Sequence, residues 1–289
     1  MKIKFRGKLI IGILVLATAS FYVLMASGTS SKTKSPPDGV AVPIIMYHQV
    51  KPYKTGKDII TPWEMESDFK YLAANGYHTI TMTDLIHSVN GAETLPENPI
   101  ILTFDDGYYN NYIYVYPLLK KYNMKIVMSI IGKSTDDFSR VSDINLDYSH
   151  VTWDEINEMK QSGYVEIQNH TYNLHTNTRA RIGCQKNKGE SLDRYSQVLT
   201  GDLSKLQDEI VSHTGIVPNT FTYPYGRVSP ESVPILKSLG FQASLTCDYG
   251  VNLIAKDPEV LFGLKRIARA HGTTVQQALN GAMKTLKYR

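Results

Sequence analysis

Residues 100–107 read Ile100-Ile101-Leu102-Thr103-Phe104-Asp105-Asp106-Gly107, an apolar run that stops at two adjacent carboxylates and a glycine. A short apolar run closed by turn chemistry predicts a buried strand of an α/β sheet or barrel, whose carboxyl end is where such folds carry their chemistry. The same residues also fit a plain Asp-Gly turn, one carboxylate on the backbone and the other in water. The segment Val165-Glu166-Ile167-Gln168-Asn169-His170-Thr171-Tyr172-Asn173-Leu174-His175 shifts the balance toward a site, because two histidines follow a second apolar-rich segment. Two imidazoles and one carboxylate form a three-ligand set for a divalent metal that keeps a position open for water or substrate. A second carboxylate beside the ligand could act as base.

The 289 residues, 42% of them hydrophobic, are enough for one sizeable core, with no internal repeat. Lys2, Lys4, Arg6 and Lys8 precede Leu9 to Ala26, an uncharged stretch long enough to cross a bilayer as a helix. Met25-Ala26-Ser27-Gly28 makes a poor cleavage site, so residues 1–28 are expected to be a signal-anchor, with a cleaved signal peptide and secretion as the alternative. The basic flank stays in the cytoplasm, which puts the rest of a single-pass protein outside the cell. Residues 29–39, rich in Ser, Thr, Lys and Pro, read as a flexible linker, and residues 40–289 as the folded domain. Residues 1–39 carry six Lys or Arg against one acid, so the formal charge of +4 leaves residues 40–289 at −1. A near-neutral domain argues against nucleic acid as a partner. Cys184 and Cys247 could pair outside the membrane, but nothing in the sequence requires it. Oligomeric state is not legible.

Strand and helix signals alternate along the domain. Val42 to His48 reads as a strand ending in a histidine. Thr61, Pro62 and Glu64 mark a capped helix start, and Gly76 closes that helix. Ile100 to Phe104 and Ile126 to Ile131 read as strands around a helix near Tyr112 to Tyr122. Thr152 caps a helix through Lys160, and Val165 to Gln168 returns as strand. Asp202 to Thr214 is an amphipathic helix ended by Gly215. Phe221 to Tyr223 is a strand, Pro230 to Leu239 a helix, and Gln242 to Leu245 a strand. Repeated strand-helix units imply a parallel sheet or barrel. Trp63 and Trp153 at helix starts are expected in the core, most of the 19 tyrosines in packing, and Gly183 to Gly189 in a polar loop with no assigned role.

With Thr103-Phe104-Asp105-Asp106-Gly107, His170 to His175 and Tyr223-Pro224-Tyr225-Gly226 in that order, residues 40–270 resemble the polysaccharide deacetylase family with the NodB-homology domain, carbohydrate esterase family 4. The resemblance implies a distorted (β/α) barrel that removes acetyl groups from N-acetylglucosamine units with a divalent metal, zinc first, with cobalt, nickel and iron as alternatives. It implies Asp105 as catalytic base and Asp106, His170 and His175 as metal ligands. The backbone N–H of Tyr225 is implied as an oxyanion donor.

Three departures matter. His170 and His175 stand five apart rather than four, which resembles the branch acting on poly-N-acetylglucosamine in biofilm matrices. Thr222 replaces the arginine that precedes the Tyr-Pro-Tyr turn. The late Leu-any-His motif reads Leu264-Lys265-Arg266, so the usual acid is missing there. In the biofilm branch that histidine comes from a Met-Tyr-His strand, which Met46-Tyr47-His48 matches, so His48 is implied as the general acid. His271 is the competing acid. His78, His87, His150 and His213 have no comparable context. The expected function is deacetylation of an extracellular glycan, poly-N-acetylglucosamine or peptidoglycan. A catalytically weak glycan-binding protein and a two-carboxylate glycosidase are the rivals. The binder needs neither base nor acid. Adjacent carboxylates on one strand point to opposite faces unless a turn intervenes, whereas glycosidase acids flank the bond from about 5 Å apart or more.

Overall fold

The computed structural model describes residues 39–141 and 143–286. The expected membrane segment 1–28, and the 29–39 linker apart from Gly39, lie outside them. No helix among the described residues is long and apolar enough to cross a membrane.

Twelve strands are described: β1 (Val40–Val42), β2 (Ile44–Tyr47), β3 (Gln49–Val50), β4 (Ile59–Ile60), β5 (His78–Thr79), β6 (Pro99–Asp106), β7 (Ile126–Ile130), β8 (Val165–Asn169), β9 (Thr220–Thr222), β10 (Ala243–Tyr249), β11 (Asn252–Ile254) and β12 (Leu264–Ala268). The order β2-β12-β10-β9-β8-β7-β6 closes through a β2–β6 pairing, Ile45 opposite Leu102 and Tyr47 opposite Phe104. Every pairing in that circuit is parallel, so the seven strands form the expected barrel, with all carboxyl ends at one mouth. β5 adds to the amino end of β6, and β1 pairs antiparallel with β11. Every residue of β6 is buried, as a strand covered on both faces requires. Phe104, on its outward face, stacks on Tyr47 at 4.9 Å between ring centres.

Caps place the helices that cover the barrel. Thr61 begins helix Pro62–Ala74, its hydroxyl accepting from the Glu64 amide at 3.1 Å while Glu64 accepts the Thr61 amide at 2.9 Å. Each such cap is worth about 1 kcal/mol. Thr152 and Glu155 repeat the device at helix Trp153–Gln161. The single helix expected near Tyr112 to Tyr122 is two, Tyr109–Tyr114 and Tyr116–Tyr122, the second starting at a Tyr-Pro step. The helix expected from Asp202 begins ten residues earlier, at Leu192, under a Ser191 cap. Helix Ser232–Ser238 is shorter than expected, and β10 longer. Helices Met82–Val89, Gly132–Arg140 and Val275–Met283 were not expected. Trp63 corrects a core assignment. Helix Pro62–Ala74 buries Met65, Asp68, Phe69 and Leu72, whereas Trp63 is 74% exposed. Trp153 is buried as expected.

Candidate active site

The strand period puts Thr103 and Asp105 on the barrel's inward face and Phe104 on the outward one, which would send Asp106 outward too. Backbone geometry prevents that. Asp106 and Gly107 adopt left-handed φ values of 71° and 74°, a conformation that costs a non-glycine residue about 1 kcal/mol or more and persists only where the surroundings enforce it. The turn swings the Asp106 carboxylate back over the mouth, so adjacent acids serve one site.

Asp106 Oδ1 lies 3.4 Å from His170 Nε2 and 3.2 Å from His175 Nε2. It is buried and has no hydrogen-bond partner. His170 follows β8, and its Nδ1 donates to the Thr222 carbonyl at 2.7 Å, which directs Nε2 at Asp106. The loop to His175 is clamped by Asp202, whose carboxylate accepts the amides of Tyr172 and Asn173 at 2.8 Å each. The three ligand atoms fall within 4.8 Å of one another, so Asp106, His170 and His175 could hold a metal ion. Burial and the neighbouring His170 lower the His175 pKa to about 4, the neutral form a metal needs. Burial alone would lower His170 as well, but the Asp106 carboxylate outweighs it and raises the imidazole. A carboxylate oxygen buried between two ring nitrogens calls for a cation there, a proton or a metal.

Asp105 is held differently. Burial would raise its pKa, but Arg266 of β12 holds it below the usual carboxylate range. Arg266 Nη1 and Nη2 bond the two Asp105 oxygens at 2.7 and 2.8 Å. Its Nε donates to the Thr246 carbonyl at 2.7 Å and Nη1 also to Thr103 Oγ1 at 3.1 Å. Arg266 therefore answers two of the sequence departures at once: it supplies the guanidinium that Thr222 lacks, from the position where the histidine was missing. Its signal in the sequence was a cation gained at one motif and lost at another. Thr222 instead bonds Ser129 of β7 at 2.7 Å, past the intervening β8.

His48 follows β2, its carbonyl pinned by Asn111 Nδ2 at 2.8 Å and its Nε2 3.9 Å from Asp105 Oδ2. His271 stands elsewhere, its Nδ1 2.8 Å from Glu64 of the capping box, and does not line the active-site cavity. Tyr225 sits in the turn Pro224–Gly226 at φ 57°, with its hydroxyl 3.3 Å from His175 Nδ1. The next two amides, of Gly226 and Arg227, donate to Tyr223 and Pro224, which leaves the Tyr225 amide outside the turn's own bonds. The loop around Gly183 gains a role here: a Cβ on Gly183 would meet the Pro224 carbonyl at 3.0 Å, so the loop backs the Tyr225 turn. These groups surround a cavity of 310 Å³, which also takes Gln49, Asp58, Ile59, Tyr108 and Cys247. The sequence pointed to none of those five. Cys184 and Cys247 are both free.

A carboxylate and two histidines that could hold a metal ion stand beside an arginine-held acid at the mouth of a parallel barrel. The polysaccharide deacetylase family profile matches residues 92–244, just over half of the chain. The chain belongs to that family and is an enzyme of the de-N-acetylating kind. It is 29% identical over 242 residues to YxkH of Bacillus subtilis, covering 83% of this chain and 75% of that one. It is 25% identical over 205 residues to the poly-beta-1,6-N-acetyl-D-glucosamine N-deacetylase of Escherichia coli, 65% of this chain but only 30% of that longer protein. The structure of a de-N-acetylase from Aggregatibacter actinomycetemcomitans matches with a TM-score of 0.72 and 28% identity, over 83% of this chain and 99% of that one.

Proposed function

We propose that this chain removes N-acetyl groups from a poly-N-acetylglucosamine-type glycan outside the cell, held at the membrane by its leader. The observation that carries the reading is Asp106 Oδ1, buried without a partner between two imidazole nitrogens. The branch of relatives named for that glycan supports the substrate, with peptidoglycan as the next candidate. Asp106, His170 and His175 suit zinc first, then cobalt, nickel or iron.

A divalent metal there would polarise the acetamide carbonyl and make the attacking water more acidic. Asp105 takes the water's proton. Arg266 makes it a weaker base than a free carboxylate but keeps it ionised, and basicity is less needed once the water is acidified. The Tyr225 amide donates to the oxygen that becomes negative as the tetrahedral carbon forms. His48 delivers a proton to the departing amine, from the side of the cavity where its Nε2 faces Asp105.

Asp105→Asn is expected to lower acetate release from an N-acetylglucosamine oligomer by about 10²-fold or more with metal still bound, the usual worth of general-base catalysis. Loss of metal together with activity would place Asp105 among the ligands instead. His48→Ala is expected to cost about 10²-fold and His271→Ala less than about fivefold. The reverse order would move the acid to the carboxyl-terminal segment. The test of the function itself is product analysis: acetate released with chain length unchanged supports it, shortened chains mean a glycosidase, and binding alone means a retention module.

A further inference from the structure

β2 ends at Tyr47, and the chain that follows leaves the barrel. Gln49–Val50 pairs with β4 instead, Gln49 opposite Ile59 and Val50 opposite Ile60. His48 sits at that departure. Its Nε2 is 3.9 Å from Asp105 Oδ2, beyond hydrogen-bond length, so the imidazole is placed by its backbone rather than by a bond to the ring. Two consecutive side chains hold that backbone. Asn111 Nδ2 donates to the His48 carbonyl at 2.8 Å. Asn110 Oδ1 accepts the Val50 amide at 3.0 Å, while its Nδ2 donates to Gln49 Oε1 at 3.3 Å and to the Leu146 carbonyl at 3.1 Å. Both asparagines are buried. They belong to helix Tyr109–Tyr114, which begins just after the Asp106-Gly107 turn and is fixed there by the Tyr109 amide on the Ser149 carbonyl and the Val151 amide on the Gly107 carbonyl. His48 is thereby tied to the turn that carries Asp106. Asn111 Oδ1, moreover, is buried with no partner. A buried oxygen left unbonded is costly, so this amide adds little to stability beyond its one bond. What that bond secures is the place of His48.

The geometry points to Asn111 as a positioning residue for proton delivery by His48. The inference rests on the proposed function for the role of that histidine. As the tetrahedral intermediate collapses, the oxyanion re-forms its C=O and the C–N bond breaks. The bonding pair goes to nitrogen, which takes the proton from His48 and leaves the imidazole neutral. A general acid must lie within about 2.6–3.2 Å of the atom it protonates, and a misplacement of about 1 Å can cost about 10²-fold. With its carbonyl released, His48 shifts with the segment that leaves the barrel and no longer meets the departing nitrogen. Asn111 bonds neither Asp105, Asp106 nor the Tyr225 turn, so water activation and the oxyanion contact do not depend on it. An activated ester, whose leaving group departs as an anion, needs no acid. The loss therefore falls on amides.

The test compares the metal-loaded natural protein with Asn111→Ala on two amides, an N-acetylglucosamine oligomer and 4-nitroacetanilide, and on the ester 4-nitrophenyl acetate, with metal content measured alongside. The expected result is a fall in kcat of about tenfold or more on the amides at nearly unchanged KM, a change of less than about threefold on the ester, and full metal content. In a His48→Ala background Asn111→Ala costs the amides less than about twofold more, because the group it positions is gone. Asn111→Ser, too short to reach the His48 carbonyl, carries the same expectations should the alanine variant not fold. Equal losses on amides and ester, undiminished amide rates, or the full further loss on top of His48→Ala would each overturn the inference. If the anilide shows the selective loss while the oligomer is not deacetylated, the glycan reading fails and the Asn111 assignment stands.

Discussion

Asp106→Ala is expected to strip the site of metal and to lower acetate release by about 10³-fold or more, because the Lewis acid supplies several kcal/mol to the transition state and each 1.36 kcal/mol is tenfold. Asp106 is the only carboxylate in the candidate ligand set. Without it two imidazoles remain, one of them reached only through the loop that Asp202 clamps. Metal content after dialysis, measured beside turnover, checks the cause. A variant that keeps stoichiometric metal and still loses activity would remove Asp106 from the ligands. The fold should survive the change, since it removes a buried carboxylate with no bonded partner for Oδ1, against the smaller cost of placing alanine at a left-handed φ of 71° that aspartate tolerates better.

Arg266→Met is expected to cost both stability and activity. The guanidinium and the Asp105 carboxylate are buried to 0% and 3% side-chain exposure, bonded at 2.7 and 2.8 Å. Removing one partner of such a pair leaves an uncompensated charge, typically worth about 3–5 kcal/mol. Denaturant unfolding near neutral pH should show that deficit. Its pH dependence has a definite sign. In the natural protein the Asp105 pKa lies below its unfolded value, so the pair stabilises above the unfolded pKa and is lost on acidification. In Arg266→Met the burial that raises the Asp105 pKa is opposed only by His170 and His48, so the pKa rises and the deficit shrinks as acid protonates the carboxylate. Asp105→Asn combined with Arg266→Met should recover part of the stability and none of the turnover. A single variant as stable as the natural protein at neutral pH would show that the pair is not the anchor described.

Much of the site was legible because its residues fall at strand ends. β6 announced itself by Ile100 to Phe104, and the carboxylates followed directly. The two histidines followed a second such strand, and the Thr61 and Thr152 caps located helices because capping boxes are local. What stayed hidden depends on closure of the barrel. Arg266 reaches Asp105 across 161 residues of sequence, through β2 lying between β12 and β6. No local pattern marks such a contact. Helix Gly132–Arg140 begins at Ile131 with no side-chain cap, so nothing in the sequence flagged its start. Trp63 misled because a helix start fixes position along the axis and says nothing of which face points inward. Cys247 reached the cavity through a bulge, which shifts strand register without a composition signal.

The central claim is that Asp106, His170 and His175 hold the metal that this chain needs to deacetylate a glycan. The direct measurement strips the folded protein with a chelator, reloads one portion with zinc, and follows acetate and chain length on a defined β-1,6-linked N-acetylglucosamine oligomer. The account predicts no acetate from the stripped portion, and acetate from the zinc-loaded portion with the oligomer's length unchanged. Undiminished acetate release from the metal-free protein, or shortened oligomers from the loaded one, would contradict it.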